Sequence, residues 1–450
     1  MVLEDDIVRN HSEFYYELSS RRSGFRDDFF YLEPGAEYTV EWSVYVMPQS
    51  DDYYDFINQV RRDWNVNYTI EGPYYFVGLN DIYQPEEGLR KTIERKNVRY
   101  VCFWEIGTKE PVAEADNKKI RAYGSALFNP HVIPAREKHA QAAARWHELF
   151  PNVKVSQYYH CFFQGFEKPD DMTYQDSFIT AADGSRVKST YPATTDYIYR
   201  TVYPMPGNSF WKMHIDSLDY LFNDMKIDWL YQDESNGPGT TAKDRAGSAS
   251  VTFNTADGNS ALIDPSTNTI IQKCAILPVV SAPALQAGID RARKAGGVTL
   301  FNGAPSMRFR NQPGVYAMAE TQDVVSRANE LHLTTPLAYG TGSPNFAAIV
   351  ERLNYGTVYL REHLSYDSLA LSKFFPLTIE EIHRGWIQAK ERVITNRSGD
   401  FGWDGDYSAR LWSFDHSGKL ADENPAAKTY RGKTAIKVLP GGLTVLERVR

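Results

Sequence analysis

The sequence predicts an α/β protein built on a (β/α)8 TIM barrel, with an N-terminal β-sandwich segment before it and a small C-terminal antiparallel β-domain after it. Three observations predict this. Between residues 74 and 362, eight short apolar runs alternate with amphipathic helical segments, the pattern of βα units on a parallel sheet. No G-x-G-x-x-G or G-x-x-x-x-G-K-[ST] opens any of these helices, so the phosphate-loop signature of an open doubly wound sheet is missing. Both ends of the chain alternate with a period of two, as antiparallel strands do.

Taken in order, residues 29–47 (FFYLEPGAEYTVEWSVYVM) alternate around an E-P-G-A turn and predict two antiparallel strands. Residues 51–64 place Phe56, Val60 and Trp64 at helical spacing, with Ser50 as N-cap. The eight barrel strands are expected at 74–79, 98–106, 153–163, 227–234, 298–303, 315–320, 335–339 and 357–362. Between them PAREKHAQAAARWHELF, SFWKMHIDSLDYLFNDM, APALQAGIDRARKAGG, TQDVVSRANELHL and SPNFAAIVERLNYG read as helices. Two stretches, 164–208 and 235–281, are expected to be long loops on the catalytic side. Residues 376–395 read as a helix running into a strand, and KTAIKVLPGGLTVLERVR as strands flanking a P-G-G turn. The expected division is 1–70, an N-terminal β segment plus linking helix; 71–392, the barrel; and 393–450, the C-terminal β-domain.

Composition narrows the function. The 450 residues carry 49 Lys and Arg against 57 Asp and Glu, a net charge of −8, which disfavours a nucleic-acid partner because phosphate binding needs clustered cations. No apolar run has the roughly 18 to 20 residues that a bilayer crossing needs. The start, MVLEDD, has no leader pattern, so a soluble chain is expected, with secretion or periplasmic residence left open. Cys102, Cys161 and Cys274 are odd in number and far apart, and read as buried small hydrophobes. The 29 Tyr, 23 Phe and 9 Trp are numerous, and many stand in loop-like stretches, where a flat apolar face with a polar edge suits a sugar ring.

In a barrel the working residues sit at the C-terminal ends of strands. Here four strands end in carboxylates: the second at Glu105, the fourth at Asp233 and Glu234, the sixth at Glu320 and the eighth at Glu362. Hydrolysis of a glycosidic bond needs two such groups, one to protonate the leaving oxygen and one to act as nucleophile or to activate water. Adjacent residues on a strand face opposite ways, so only one of Asp233 and Glu234 is expected to be catalytic unless the strand has ended. Trp104, Tyr158, Tyr159, His160, Tyr231, Asn302 and Trp403 are candidates for stacking on or hydrogen bonding to sugar. Arg361 and His363, with Arg308 and Arg310, are candidates for an acidic substituent.

The runs IDWLYQDES and VYAMAE resemble strands four and six of the TIM-barrel glycoside hydrolases, in particular the α-galactosidase-like clan. The resemblance implies Asp233 as nucleophile and Glu320 as acid/base; that clan has Asp where Glu320 stands, and its K-x-D is absent at strand four. A second resemblance, to the β-glycosidases with catalytic residues on strands four and seven, implies Glu234 and Glu362, though Asp233 stands where that clan has Asn. The expectation is a glycoside hydrolase acting on a poly- or oligosaccharide without a cofactor. The rivals are a barrel that binds glycan without cleaving it and a metal-dependent lyase or isomerase. No metal site is expected: His131, His139 and His147 recur at intervals of eight, read as solvent-facing or rim residues, and Asp257-Gly258-Asn259 and Asp404-Gly405-Asp406 read first as turns. No G-x-S-x-G elbow is present.

Overall fold

The computed structural model describes every residue except 1, 4, 48–51, 67, 105, 109–119, 123–125, 129–131, 167–169, 188–197, 236–250, 304–308, 310–311, 321–330, 340–344, 365–368 and 450. Eight parallel strands follow one another in chain order around one sheet. They are Tyr74–Val77, Tyr100–Phe103, Lys154–His160, Leu230–Asp233, Thr299–Asn302, Val315–Glu320, Leu337–Tyr339, and an eighth made of Val358–Tyr359 and Arg361–His363 on either side of Leu360. Val358 pairs with Leu337 of the seventh strand, and Arg361 pairs with Tyr74 of the first. Leu360 joins both neighbours, its N–H donating to Ala338 and its carbonyl accepting from Tyr74. The sheet therefore curls until its last strand meets its first.

These runs are apolar almost throughout because both faces are covered. Residues at even spacing divide into two sets. Tyr75, Val77, Val101, Phe103, Val155, Tyr159, Leu230 and Phe301 pack outward in one core with the surrounding helices. Tyr74, Phe76, Tyr100, Cys102, Tyr158, Trp229, Tyr231, Leu300, Tyr316, Met318 and Leu337 fill the inside of the curl in another. Stacked layers of side chains of this kind make a barrel interior a packed core and not a pore.

The helices Ile133–Leu149, Ser209–Asp219, Ala282–Lys294 and Phe346–Leu353 stand where the sequence places them, and the second of these begins at an N-cap, Asn208, whose Oδ1 accepts from the Trp211 N–H at 3.0 Å. Glu86–Lys96 is an additional helix whose Leu89 and Ile93 are its buried apolar residues. The helix expected at 321–333 lies largely outside the described residues. The linking helix, Tyr53–Asp63, is capped by Asp52, whose carboxylate accepts from the Tyr54 N–H at 2.9 Å; the expected cap, Ser50, lies outside the described residues.

Both ends differ from expectation. Pro34 and Gly35 do form the turn, but among the described residues of 29–47 the pairing is limited to a bridge at Phe30 and the two residues Trp42–Ser43. A hairpin forms earlier instead, Glu13–Glu17 against Arg22–Arg26. Val40, Trp42, Val44 and Val46 are exposed, so the alternation there has no second sheet to face. At the other end, residues 376–395 hold no helix. Leu377–His383, Trp386–Ala389 and Arg392–Thr395 are consecutive antiparallel strands. A register shift between Ile379 and Glu381 leaves buried Ile379 and Ile382 three residues apart, a spacing that imitates a helix, and Gly385 at φ +91° closes the turn.

These three strands belong to a seven-stranded antiparallel sheet with Leu443–Val449, Ser408–Phe414 and Leu420–Ala427, and with Thr69–Ile70 from just before the barrel as its edge. Thr434–Ile436 and Leu443–Val449 flank the P-G-G turn as expected but join different sheets. At the C-terminal ends of the barrel strands the two long loops are knitted together. The Thr180 N–H donates to Thr252 Oγ1 at 3.1 Å, Phe253 donates to the Thr180 carbonyl, and the Tyr203 hydroxyl donates to Asn254 at 2.9 Å.

Candidate active site

Four inward-facing side chains at the C-terminal ends of neighbouring strands converge on one another. Asp233 is the last residue of the fourth strand, Asn302 of the fifth and Glu320 of the sixth, while Tyr158 lies near the end of the third. The Asn302 amide nitrogen donates to Asp233 Oδ1 at 2.5 Å and to Glu320 Oε2 at 2.8 Å. Sharing one nitrogen, those two carboxylate oxygens stand no more than about 5.3 Å apart. The orientation of the amide is set by its other end, because Asn302 Oδ1 accepts the Glu320 backbone N–H at 3.3 Å. The Tyr158 hydroxyl donates to Asp233 Oδ2, and the Glu234 N–H donates to Asp233 Oδ1 at 3.1 Å. Three donors thus surround the Asp233 carboxylate and use its oxygens as acceptors only. Asp233 is nearly buried, whereas Asn302 and Glu320 are half-exposed, so the group opens toward solvent on the Glu320 side.

An aromatic wall adjoins it. Trp104 sits 4.4 Å from Phe76 and 5.5 Å from Tyr158, centroid to centroid, and Tyr231 sits 5.7 Å from Tyr158 and 5.5 Å from Phe76. His363 reaches the same wall at 6.0 Å from Phe76. Tyr231 is buried beneath Asp233, and Trp104 is half-exposed. His160, paired in register with Asp233, reaches Glu234: its Nε2 lies 3.1 Å from Glu234 Oε2.

Not every expected residue arrives here. Tyr159 faces the helices and hydrogen-bonds to His214 Nδ1 at 2.6 Å. Trp403 is buried in the C-terminal β-core, its indole N–H donating to the Ala389 carbonyl at 2.7 Å. Glu105, Arg308 and Arg310, and the side chains of Arg361 and Glu362, lie outside the described residues, although the backbone of Arg361 and Glu362 completes the eighth strand. His139 is buried and not solvent-facing: the helix turns it onto the sheet beside Ala142, Ala143 and Trp146, where its Nδ1 meets Gln157 Oε1 at 2.9 Å. Asp257 works as a turn, accepting the N–H groups of Asn259 and Ser260 at 2.9 and 2.8 Å. Ser235 escaped the sequence reading. It is fully buried and ties the end of strand four to strand five through its hydroxyl, 3.2 Å from the Asn302 carbonyl and 3.1 Å from that of Gly303.

Other chemistry-bearing clusters do not compete with this one. Cys102, Cys161 and Cys274 are free and buried, and burial pushes the Cys161 thiol up, away from a reactive thiolate. His11 lies between Ser260, 3.0 Å from Nε2, and Asp27, 3.4 Å from Nδ1, which has the order of a hydrolase triad. Ser260 is fully buried and its hydroxyl donates to Asp257 Oδ2 at 2.5 Å, so this row is a clamp holding the N-terminal segment against the second long loop. A cleft of about 350 Å³ lined by Arg90, Asn97, Phe150 and Asn152 opens at the opposite, N-terminal end of the strands, the end that bears on stability. Among the described residues no group of three or more His, Cys, Asp or Glu is placed to hold a metal ion, and no helix is long and apolar enough to cross a membrane.

No family model matches the chain, and no curated protein does. Solved structures similar to it include glycoside hydrolases. A GH31 family sulfoquinovosidase from E. rectale is 10% identical over 89% of this chain and 65% of its own, with a TM-score of 0.45. A xylosidase from Aspergillus niger is 10% identical over 89% and 67%, at 0.47, and an α-amylase from Malbranchea cinnamomea is 12% identical over 84% and 96%, at 0.44. The chain thus spans about two thirds of the length of the first two.

Proposed function

We propose that this protein is a retaining glycoside hydrolase in which Asp233 is the nucleophile and Glu320 the acid/base. The observation that carries the reading is the pair of carboxylates held on one Asn302 nitrogen at 2.5 and 2.8 Å. Retaining enzymes set their two carboxyl groups about 5 to 5.5 Å apart, whereas inverting enzymes leave about 6.5 to 9.5 Å for a water molecule. The upper bound on this oxygen pair favours the first.

The surroundings support the division of roles. Asp233 accepts from Tyr158, Asn302 and its neighbour's N–H, an environment for an anion that attacks carbon. Glu320 stands on the more open side, where a leaving group departs and water enters. In the first step the Glu320 carboxyl gives its proton to the glycosidic oxygen as the bond to the anomeric carbon breaks, and Asp233 closes on that carbon to form a glycosyl ester. In the second, Glu320 takes a proton from water, which attacks the same carbon and frees Asp233. Trp104 and the half-exposed edge of the aromatic wall provide a surface for the apolar face of a sugar.

The test is hydrolysis of a broad panel of glycans and aryl glycosides by wild type, Asp233→Asn and Glu320→Gln. Cleavage of one substrate with a loss of about a hundredfold or more in both variants supports the assignment. Active variants would overturn the residue pair, and binding of a glycan without cleavage would overturn the hydrolase reading.

A further inference from the structure

We infer that Glu234, aimed by His160, recognises a hydroxyl of the sugar ring that sits against Asp233. This rests on the reading of the site as a glycosidase subsite and adds to it the residue that sorts substrates. The backbone supplies the first observation. Alternation along the fourth strand would send residue 234 outward with Leu230 and Gln232, toward the helices. The strand stops at Asp233, and Glu234 adopts φ +47°, a left-handed conformation that a side chain with a Cβ rarely takes. That reversal turns its carboxylate back to His160, which lies on the strand face that also carries Tyr158.

The second observation is how firmly His160 is held. Its ring is fully buried and stacks on Phe163 at 4.1 Å. Nδ1 accepts the Phe162 N–H at 3.0 Å, so the ring's own proton is on Nε2, which donates to Glu234 at 3.1 Å. A buried ring with a fixed tautomer therefore orients a carboxylate that stays 22% exposed and is joined directly to Asp233. Unfavourable backbone geometry held in place by its surroundings gathers at sites of function. A carboxylate next to the nucleophile and partly open to solvent is suited to take the O–H of a sugar hydroxyl in a charge-assisted hydrogen bond.

The experiment uses the full chain, the aryl glycoside that wild type hydrolyses fastest, and the monodeoxy analogues of that glycoside. Glu234→Gln is expected to raise KM by about 10- to 100-fold with kcat changed by less than about threefold, the value of a hydrogen bond to a charged group. The penalty should vanish on the one analogue that lacks the recognised hydroxyl. His160→Gln should show a smaller KM effect with the same analogue dependence. Glu234→Gly, which removes the carboxylate and the left-handed strain together, should lose affinity equally while its Tm stays level or rises. A merely structural residue would lower Tm in Glu234→Gly and move KM alike on every analogue, and that result overturns the inference. So does a loss confined to kcat. Binding of the corresponding free monosaccharide by calorimetry separates the two readings. If wild type hydrolyses nothing but binds the sugar and Glu234→Gln does not, the hydrolase reading falls and this one stands. Equal binding by both overturns this one.

Discussion

Asn302 holds Asp233 and Glu320 together through a single amide nitrogen, and the Glu320 backbone N–H holds the amide oxygen on the other side. One residue thus fixes the spacing of the two carboxylates and is itself fixed by the strand it touches. Replacing Asn302 with Ala removes two hydrogen bonds to carboxylates, each worth about 1.5 to 3 kcal/mol. We expect kcat/KM to fall by at least about a hundredfold, with a lower urea midpoint because the nearly buried Asp233 loses a donor. Unaltered kinetics would mean that the bridge is incidental.

Tyr158 offers a finer probe. In Tyr158→Phe the ring remains against Trp104 and Tyr231, and only the hydroxyl that donates to Asp233 is lost. The expected outcome is a drop in kcat of about 10- to 100-fold with KM nearly constant. A change in KM alone would make Tyr158 a sugar contact, as the sequence suggested.

Stability should fall in acid below about pH 6.5. Burial pushes His139, His214 and His332 down from 6.5 to about 4, so each folds in its neutral form. Between those pH values the unfolded chain binds protons that the folded chain refuses, and linkage then lowers the folding free energy as pH drops. Their contribution is complete above pH 6.5 and is lost on the way to pH 4. Urea unfolding across this range should show the midpoint falling with pH, and less steeply in His139→Gln. A flat profile would contradict the neutral burial of these rings.

The clamp at His11 should matter locally. Ser260→Ala leaves His11 Nε2 without its partner in a buried setting, a cost of about 1 to 3 kcal/mol. Limited proteolysis should then cut within residues 5–40 sooner than in wild type, while the barrel fragment survives. Cleavage at an unchanged rate would show that the segment is held by other contacts.

The sheet can be tested at its base. A Cβ on Gly297 would stand 1.8 Å from the Asp228 carbonyl oxygen, where the chain enters the fifth strand beside the fourth. Gly297→Ala must separate the two strands, and a loss of several kcal/mol is expected in equilibrium unfolding. Wild-type stability in that variant would contradict the close approach.

Much of this was legible in the sequence because the barrel strands are short apolar runs with both faces buried, and all eight formed in the expected order. Strand-end logic also brought Asp233, Glu320 and Asn302 to one mouth, since inward residues at the ends of neighbouring strands must meet. What misled was local. Leu377–His383 imitates a helix because its bulge shifts the apolar spacing, and the alternation at 29–47 met no partner sheet. Trp403 looked like a sugar platform, yet an indole with a backbone acceptor at 2.7 Å fits a core equally well, and only the three-dimensional arrangement decides. Nothing in the order Gln232-Asp233-Glu234 announces the left-handed turn at Glu234. The partner that its carboxylate meets there, His160, lies 74 residues earlier.

The most direct test of the central claim is azide rescue of alanine variants on an activated aryl glycoside, with the product's anomeric configuration read by NMR. If Asp233 is the nucleophile and Glu320 the acid/base, azide should restore turnover to Glu320→Ala and yield a glycosyl azide of retained configuration, and restore Asp233→Ala with inverted configuration. The opposite pattern, or rescue of neither while wild type cleaves the substrate, would contradict the assignment.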